Sequence, residues 1–377
     1  MKVVVLQYKF QNDGSTNALL KLFKSLSEKG IEFLVIFSRG GSKQSVLQEL
    51  GIKAVRVPFL MSSDRGYKGL IRYAYIILCI LINSIALLSM FAISLKYKPN
   101  IIHTNVSPIH LGYYLAKLLN LPHVWHLREF RRKEQRAQPI LNYTYFKKLL
   151  YSSDTIATTK SIKEYYGLQR CRVIYDGVID NHMKSSLNPL KERKNAFLFV
   201  GRVEQSKGIE LLINSFAKFS RANKDWFLDI VGGYDEKYYE KLSAMIKALE
   251  MEDRVCFLGI CDDVKEKMAE RKVVVISSLS EGFGYVTVEA MANKCFVIGN
   301  NNTGTREQLD NAKQLVGLDI AYRFTDENEL LLQMNKFVYG DYEYHQNMVD
   351  AAYEVVNKLY GVDKYSSEVL SYYKLLI

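Results

Sequence analysis

Cysteine is scarce in this sequence, and the little there is has no ligand spacing. Of 377 residues five are cysteine (Cys79, Cys171, Cys256, Cys261 and Cys295), an odd set with no CxxC pair and no Cys/His pattern of the kind that binds a metal. This argues against a disulfide framework and a metal centre, and it fits a reducing compartment. The opening MKVVVLQYKF has a short apolar run and no small-residue cleavage site, so no secretory signal is read and a cytoplasmic protein is expected. No GxGxxG follows the first apolar strand, where residues 7–13 stand instead, which speaks against a nicotinamide oxidoreductase. Nucleic-acid-binding motifs, short-period repeats and low-complexity tracts are missing as well.

Acidic residues are sparse in the first half. Residues 1–185 hold 27 Lys and Arg against 11 Asp and Glu, a net of +16, while the remainder holds 24 against 29, a net of −5. A basic half attracts phosphates, anionic lipid headgroups or nucleic acid. Without a nucleic-acid motif, a membrane surface or phosphorylated lipid comes first and a merely solvated basic face second. Charge is absent altogether from residues 74–95, a run of 22 long enough to cross a bilayer. A crossing there would place three strands on one side and the fourth on the other. Arg72, Lys96 and Lys98 also flank both ends, so no orientation follows. The run is read first as a helix buried against a sheet and next as one dipping into the membrane interface. An anionic membrane surface, the inner face of the plasma membrane, is the expected partner.

Hydrophobic residues at 48% and charged residues at 24%, over this length, suit two globular α/β domains. Apolar strands are read at 3–6, 31–37, 53–57, 100–103, 123–126, 155–158 and 172–175, alternating with helical stretches. A turn-rich segment, 176–190, separates them from a second series at 197–200, 228–231, 255–258, 273–276 and 296–298, with helices at 208–219, 236–249 and 287–292. Such alternation winds a parallel sheet with right-handed crossovers. The expected domains are 1–180, 181–345 and a helical tail, 346–377, packing back toward the first.

Two loops carry chemistry. Glu281, Gly282, Phe283, Gly284, Tyr285, Val286, Thr287, Val288 and Glu289 follow the apolar strand 273–276. Glycines after a strand let the backbone approach a ligand, and a helix starting near Tyr285 turns N–H groups toward an anion such as a diphosphate. Glu281 and Glu289, eight residues apart and on the order of 10 Å if mostly helical, could contact opposite ends of one ligand. About 75 residues earlier, Gly201, Arg202, Lys207 and Gly208 leave another strand and open a second helix. Asp262 and Asp263 are adjacent and precede residues 264–269, so helix capping explains them better than a metal does.

Together these residues resemble the E-x7-E element (EGFG…EAMA) and the GR-x4-KG loop of retaining glycosyltransferases in family 4. Val173 to Asp180 resembles the family's VIxNGID linker segment, with Asp176 where Asn is usual, and residues 303–307 resemble its GGxxE turn. Asn293, Lys294 and Phe296 depart from the family's pattern. The resemblance implies a GT-B fold, two Rossmann-like domains with parallel sheets facing a central cleft, the first binding an acceptor and the second a nucleotide sugar. It implies that Arg202 and Lys207 stabilise the departing diphosphate, that Glu281 and His126 hold the sugar, and that Glu289 anchors the ribose. Gly201, Gly282, Phe283, Gly284, Tyr285, Val286 and Thr287 complete the donor site, with Gly14 the only match to the family's glycine-rich loop after strand one. No cofactor or metal is expected. The basic run Arg128, Arg131, Arg132 is either a solvated face or a site for an acceptor phosphate. The resulting expectation is transfer from a nucleotide sugar, UDP-sugar favoured, to a glycan or lipid-linked acceptor in cell-surface polysaccharide synthesis. A nucleotide-sugar epimerase and a non-catalytic membrane-associated binding protein are the rivals.

Overall fold

The computed structural model describes residues 1–64, 66–130, 138–180 and 188–377. The chain divides into two compact units, one of Met1–Gly177 with Val362–Ile377 and one of Val178–Gly361.

The first unit is built on seven parallel strands: β1 (Lys2–Lys9), β2 (Glu32–Arg39), β3 (Lys53–Arg56), β4 (Ile101–Asn105), β5 (His123–Leu127), β6 (Asp154–Ala157) and β7 (Cys171–Val173). Their order is β3-β2-β1-β4-β5-β6-β7, so the winding reverses between β1 and β4. Strands covered on both faces must be apolar at every position rather than at alternate ones. Val3 and Val5 of β1 face a core shared with α1 (Gly14–Glu28), while Val4 and Leu6 face a second core. The helices on that second side include α3 (Gly69–Tyr97), through Ala86 and Met90, and α4 (Leu111–Leu119), through Leu111 and Leu115. Helices α2 (Ser45–Glu49), α5 (Tyr143–Tyr151) and α6 (Lys160–Tyr166) precede β3, β6 and β7.

The second unit holds six parallel strands, β8 (Lys194–Val200), β9 (Phe227–Val231), β10 (Val255–Gly259), β11 (Arg271–Ile276), β12 (Phe296–Asn300) and β13 (Tyr322–Phe324), ordered β10-β9-β8-β11-β12-β13. Its winding reverses between β8 and β11. Helices α7 (Ile209–Ser220), α8 (Glu236–Ala248), α9 (Val264–Glu270), α10 (Tyr285–Ala292), α11 (Thr303–Val316), α12 (Glu327–Val338) and α13 (Tyr342–Leu359) connect and cover the strands. Phe197, Phe216, Trp226 and Phe337 anchor the core.

The tail divides. Helix α13 remains in the second unit, whereas α14 (Val362–Leu376) lies on the first unit's sheet, where Tyr365, Val369 and Tyr373 enter the α1 core and the Ser25 hydroxyl bonds that of Ser366 at 2.8 Å. The segment 303–307, expected as a turn, is the start of α11.

Helix α3 departs from the leading expectation of burial. Only one stripe, Cys79, Asn83, Ala86, Met90 and Ser94, is buried; most of its apolar side chains are exposed.

Candidate functional site

In an open parallel sheet the loops at the carboxyl ends of the two strands flanking the reversal form the natural ligand site. In the second unit these are the loops after β8 and β11, which are the two motif loops. Gly201 ends β8 at φ 146°, and a Cβ on Gly232 would meet the Gly201 carbonyl oxygen at 1.8 Å, so the chain can turn there only because both are glycine. Residues Gln205–Lys207 form one turn of 3-10 helix, and Gly208, at φ 65°, begins α7.

The two loops are joined by three contacts. The Leu279 N–H donates to the Ser206 carbonyl at 3.0 Å, the Ser277 hydroxyl to the Lys207 carbonyl at 2.8 Å, and Lys207 Nζ to Glu281 Oε1 at 2.7 Å. Lys207 and Glu281 keep 21% and 18% of their side chains exposed, enough to meet a ligand. An ammonium has three donors, so Lys207 can hold Glu281 and still offer two to an anion. Arg202 is 72% exposed, with Nη1 3.2 Å from Glu204 Oε2.

A third loop, after β12, supports the second. The Glu281 N–H donates to Thr303 Oγ1 at 2.9 Å, the Gly304 N–H to the Glu281 carbonyl at 2.9 Å, and Gln308 Nε2 to the Phe283 carbonyl at 2.5 Å. Gly284, at φ 87°, caps α10. Gly282, Phe283, Gly284 and Thr287 are buried, and Tyr285, Val286 and Glu289 are half-buried. The Phe283 ring lies between those of Tyr285 (4.8 Å) and Tyr360 (5.8 Å). The first turn of α10 leaves N–H groups outside the helical ladder, at the positive end of its dipole. A cation pair, a carboxylate and a helix N-terminus therefore converge on one sheet edge. Thr303, Gln308 and Ser277 were missed as supports; the signal for the first was its place beside Gly304, read as a turn.

Two cavities in the structure do not coincide with these residues. The one of about 580 Å³ lies among Lys191, Asn195, Asp225 and Arg271, at the amino ends of β8, β9 and β11, the edge opposite the motif loops. The other, about 30 Å³ beside His110, Tyr143 and Phe146 of the first unit, has room for water rather than a sugar. Placement of charge and helix end identifies the site better than volume does.

In the first unit, Gly14 opens α1 at the carboxyl end of β1, next to Asp13, whose carboxylate accepts from the Thr16 N–H at 2.8 Å. His126 sits on β5, fully buried, with its ring centroid 5.4 Å from that of His103 and Nε2 3.9 Å from Asp176 Oδ1. Burial, then the Arg128 charge, holds its imidazole well below the usual range, so it is neutral.

Arg128 is not on a solvated face. Its guanidinium bonds the buried carboxylate of Asp176, Asn105 Oδ1 at 2.7 Å and the Tyr365 hydroxyl at 2.9 Å. A buried carboxylate needs a cation, and Asp176, where the family pattern has Asn, is thereby matched to Arg128. Arg131 and Arg132 lie outside the described residues. Val106, at the end of β4, holds φ 76°, a strained value for a β-branched residue. Asp263 stands at the start of α9, yet its carboxylate pairs with Lys267 at 3.0 Å and makes no bond to the helix backbone. Among the described residues no group of three or more His, Cys, Asp or Glu could hold a metal.

Residues 181–355 match the family Glycosyl transferases group 1. The match takes in both motif loops and somewhat less than half of the chain. The chain is 29% identical over 141 residues to the Campylobacter jejuni N-acetylgalactosamine-N,N'-diacetylbacillosaminyl-diphospho-undecaprenol 4-alpha-N-acetylgalactosaminyltransferase, covering 37% of each. It is 31% identical over 188 residues to the Salmonella typhimurium O-antigen chain mannosyltransferase RfbU, covering 49% of this chain and 48% of the relative. Both matches span less than half of the relative's length. Among solved structures, Anabaena Alr3699/HepE in complex with UDP and glucose aligns over 100% of both chains at a TM-score of 0.80 and 19% identity. At that identity the likeness shows the fold, which is GT-B, as expected.

Proposed function

We propose that the chain is a retaining glycosyltransferase that moves a sugar from a nucleotide sugar, UDP-sugar by preference, to a glycan or lipid-linked acceptor in cell-surface polysaccharide synthesis. The observation that carries this reading is the Lys207–Glu281 pair, 2.7 Å long, which ties both motif loops together at the winding reversal beside the N-terminus of α10. Support for the donor comes from the UDP bound by the Anabaena protein, and for the acceptor from the diphospho-undecaprenol and O-antigen chain in the relatives' names.

On this reading Glu289 accepts ribose hydroxyls and Glu281 those of the sugar. The bond from the anomeric carbon to the diphosphate breaks, and negative charge collects on the departing phosphate oxygen. Lys207, Arg202 and the first-turn amides of α10 stabilise that charge without requiring a metal. An acceptor hydroxyl attacks from the same face, and its proton passes to the departing phosphate. Neither glutamate serves as a general base.

A thermal-shift screen of UDP-, GDP- and ADP-sugars tests the donor. A UDP-sugar is expected to raise the melting temperature most, with the rise lost in Lys207→Ala; no response to any nucleotide sugar would refute the reading.

A further inference from the structure

Helix α3 has a feature that sugar transfer does not use. Its buried stripe, Cys79, Asn83, Ala86, Met90 and Ser94, covers one side, and Asn83 pins that side through the Leu60 N–H (2.8 Å) and carbonyl (3.1 Å). At 100° per residue, Leu70, Ile77, Leu81, Leu88 and Leu95 point the opposite way, and Leu78, Ile80 and Ile85 widen that face. All eight are exposed, Leu70 at 87%, Leu88 at 69% and Ile85 at 68%. The apolar sector spans about half the helix circumference, far wider than the a/d seam a partner helix covers. Exposed apolar surface of this extent marks an interaction site.

The charges indicate what covers it. No Lys, Arg, Asp or Glu lies between Arg72 and Lys96, whereas Lys68 and Arg72 stand at one end and Lys96 and Lys98 at the other, in a half of net charge +16. An apolar face bounded by cations complements an anionic lipid surface, where acyl chains meet phosphate headgroups. The helix cannot cross: β3 before it and β4 after it belong to one sheet.

We infer that the outward face of α3 docks the first unit on an anionic membrane, with the helix lying in the plane of the interface. This is independent of donor chemistry, so its failure would leave the glycosyltransferase reading standing.

The full chain is floated with vesicles of phosphatidylglycerol and phosphatidylcholine, and with phosphatidylcholine alone, beside Leu81→Glu/Leu88→Glu and Leu88→Trp. The wild type should float with the anionic vesicles and lose this in high salt. The double glutamate variant should keep its melting temperature and lose about tenfold or more in partitioning. The Leu88→Trp emission should shift to the blue with anionic vesicles, which tests the face even if the glutamates disturb folding. The inference is overturned if the wild type floats with neither vesicle, if a folded glutamate variant floats equally well, or if the tryptophan emission does not move. A dimer by light scattering that the glutamates dissociate, with no flotation, would assign the face to a second copy of the chain.

Discussion

At the scale of single residues, the placement of charge depends on pairs that sequence spacing does not reveal. Arg128 read as one of a basic run because its neighbours Arg131 and Arg132 are cationic; its partner Asp176 lies 48 residues away. Their contact depends on β5 and β7 lying in one sheet on either side of β6, which no local pattern encodes. Asp176 is 0% and Arg128 2% exposed. Asp176→Ala leaves the guanidinium buried without its counter-charge, and a loss of about 3–5 kcal/mol in unfolding free energy is expected. Asp176→Asn, which restores the family's usual residue, keeps an acceptor and should lose less. Urea denaturation of the three proteins checks this; equal stability of wild type and Asp176→Ala would contradict it. By contrast Glu281, Lys207 and Glu289 were legible at once, because local spacing after apolar strands places them.

At the scale of elements, the core strands of both sheets were readable from their apolar runs, since a parallel strand buried on both faces has no polar alternation to obscure it. The edge strand β13 (Tyr322–Phe324), with Arg323 at its centre, was not read, and α12 was not identified. Residues 303–307 misled in an instructive way. Their resemblance to the family's GGxxE segment gave a turn, yet Gly304 lies in α11 and is small for another reason: a Cβ there would stand 2.7 Å from the Phe283 carbonyl oxygen and 2.8 Å from that of Glu281. The glycine lets α11 approach the loop that carries Glu281. Gly304→Ala should therefore displace that loop, weakening UDP binding by on the order of tenfold or more while the second unit remains folded. Calorimetric titration with UDP alongside circular dichroism checks it, and unchanged affinity would show that the approach is not needed.

At the scale of the whole molecule, buried histidines set a pH dependence. Burial holds His103, His110 and His123 at about 3, and holds His126 and His345 below the model-compound value of 6.5. The unfolded chain takes up these protons near pH 6.5 and the folded chain does not. This contribution to stability is therefore present above pH 6.5 and is lost as pH falls toward 3, at up to about 1.4 kcal/mol per pH unit for each fully buried histidine. Melting temperature should fall between pH 7 and pH 5, above the range where ordinary carboxylates titrate; a flat profile would contradict the burial. Two Rossmann-like units, the charge asymmetry and a tail returning to the first unit were visible in the sequence, but the point at which the tail divides, between α13 and α14, was not, since the two helices differ in what they pack on rather than in composition. The central claim, that the joined loops of the second unit release a nucleotide from a sugar donor, is tested most directly by measuring acceptor-dependent UDP release from a UDP-sugar by wild type, Lys207→Ala and Glu281→Ala. Release by the wild type and a fall of about a hundredfold or more in each folded variant is the predicted result. Equal turnover in all three would contradict it.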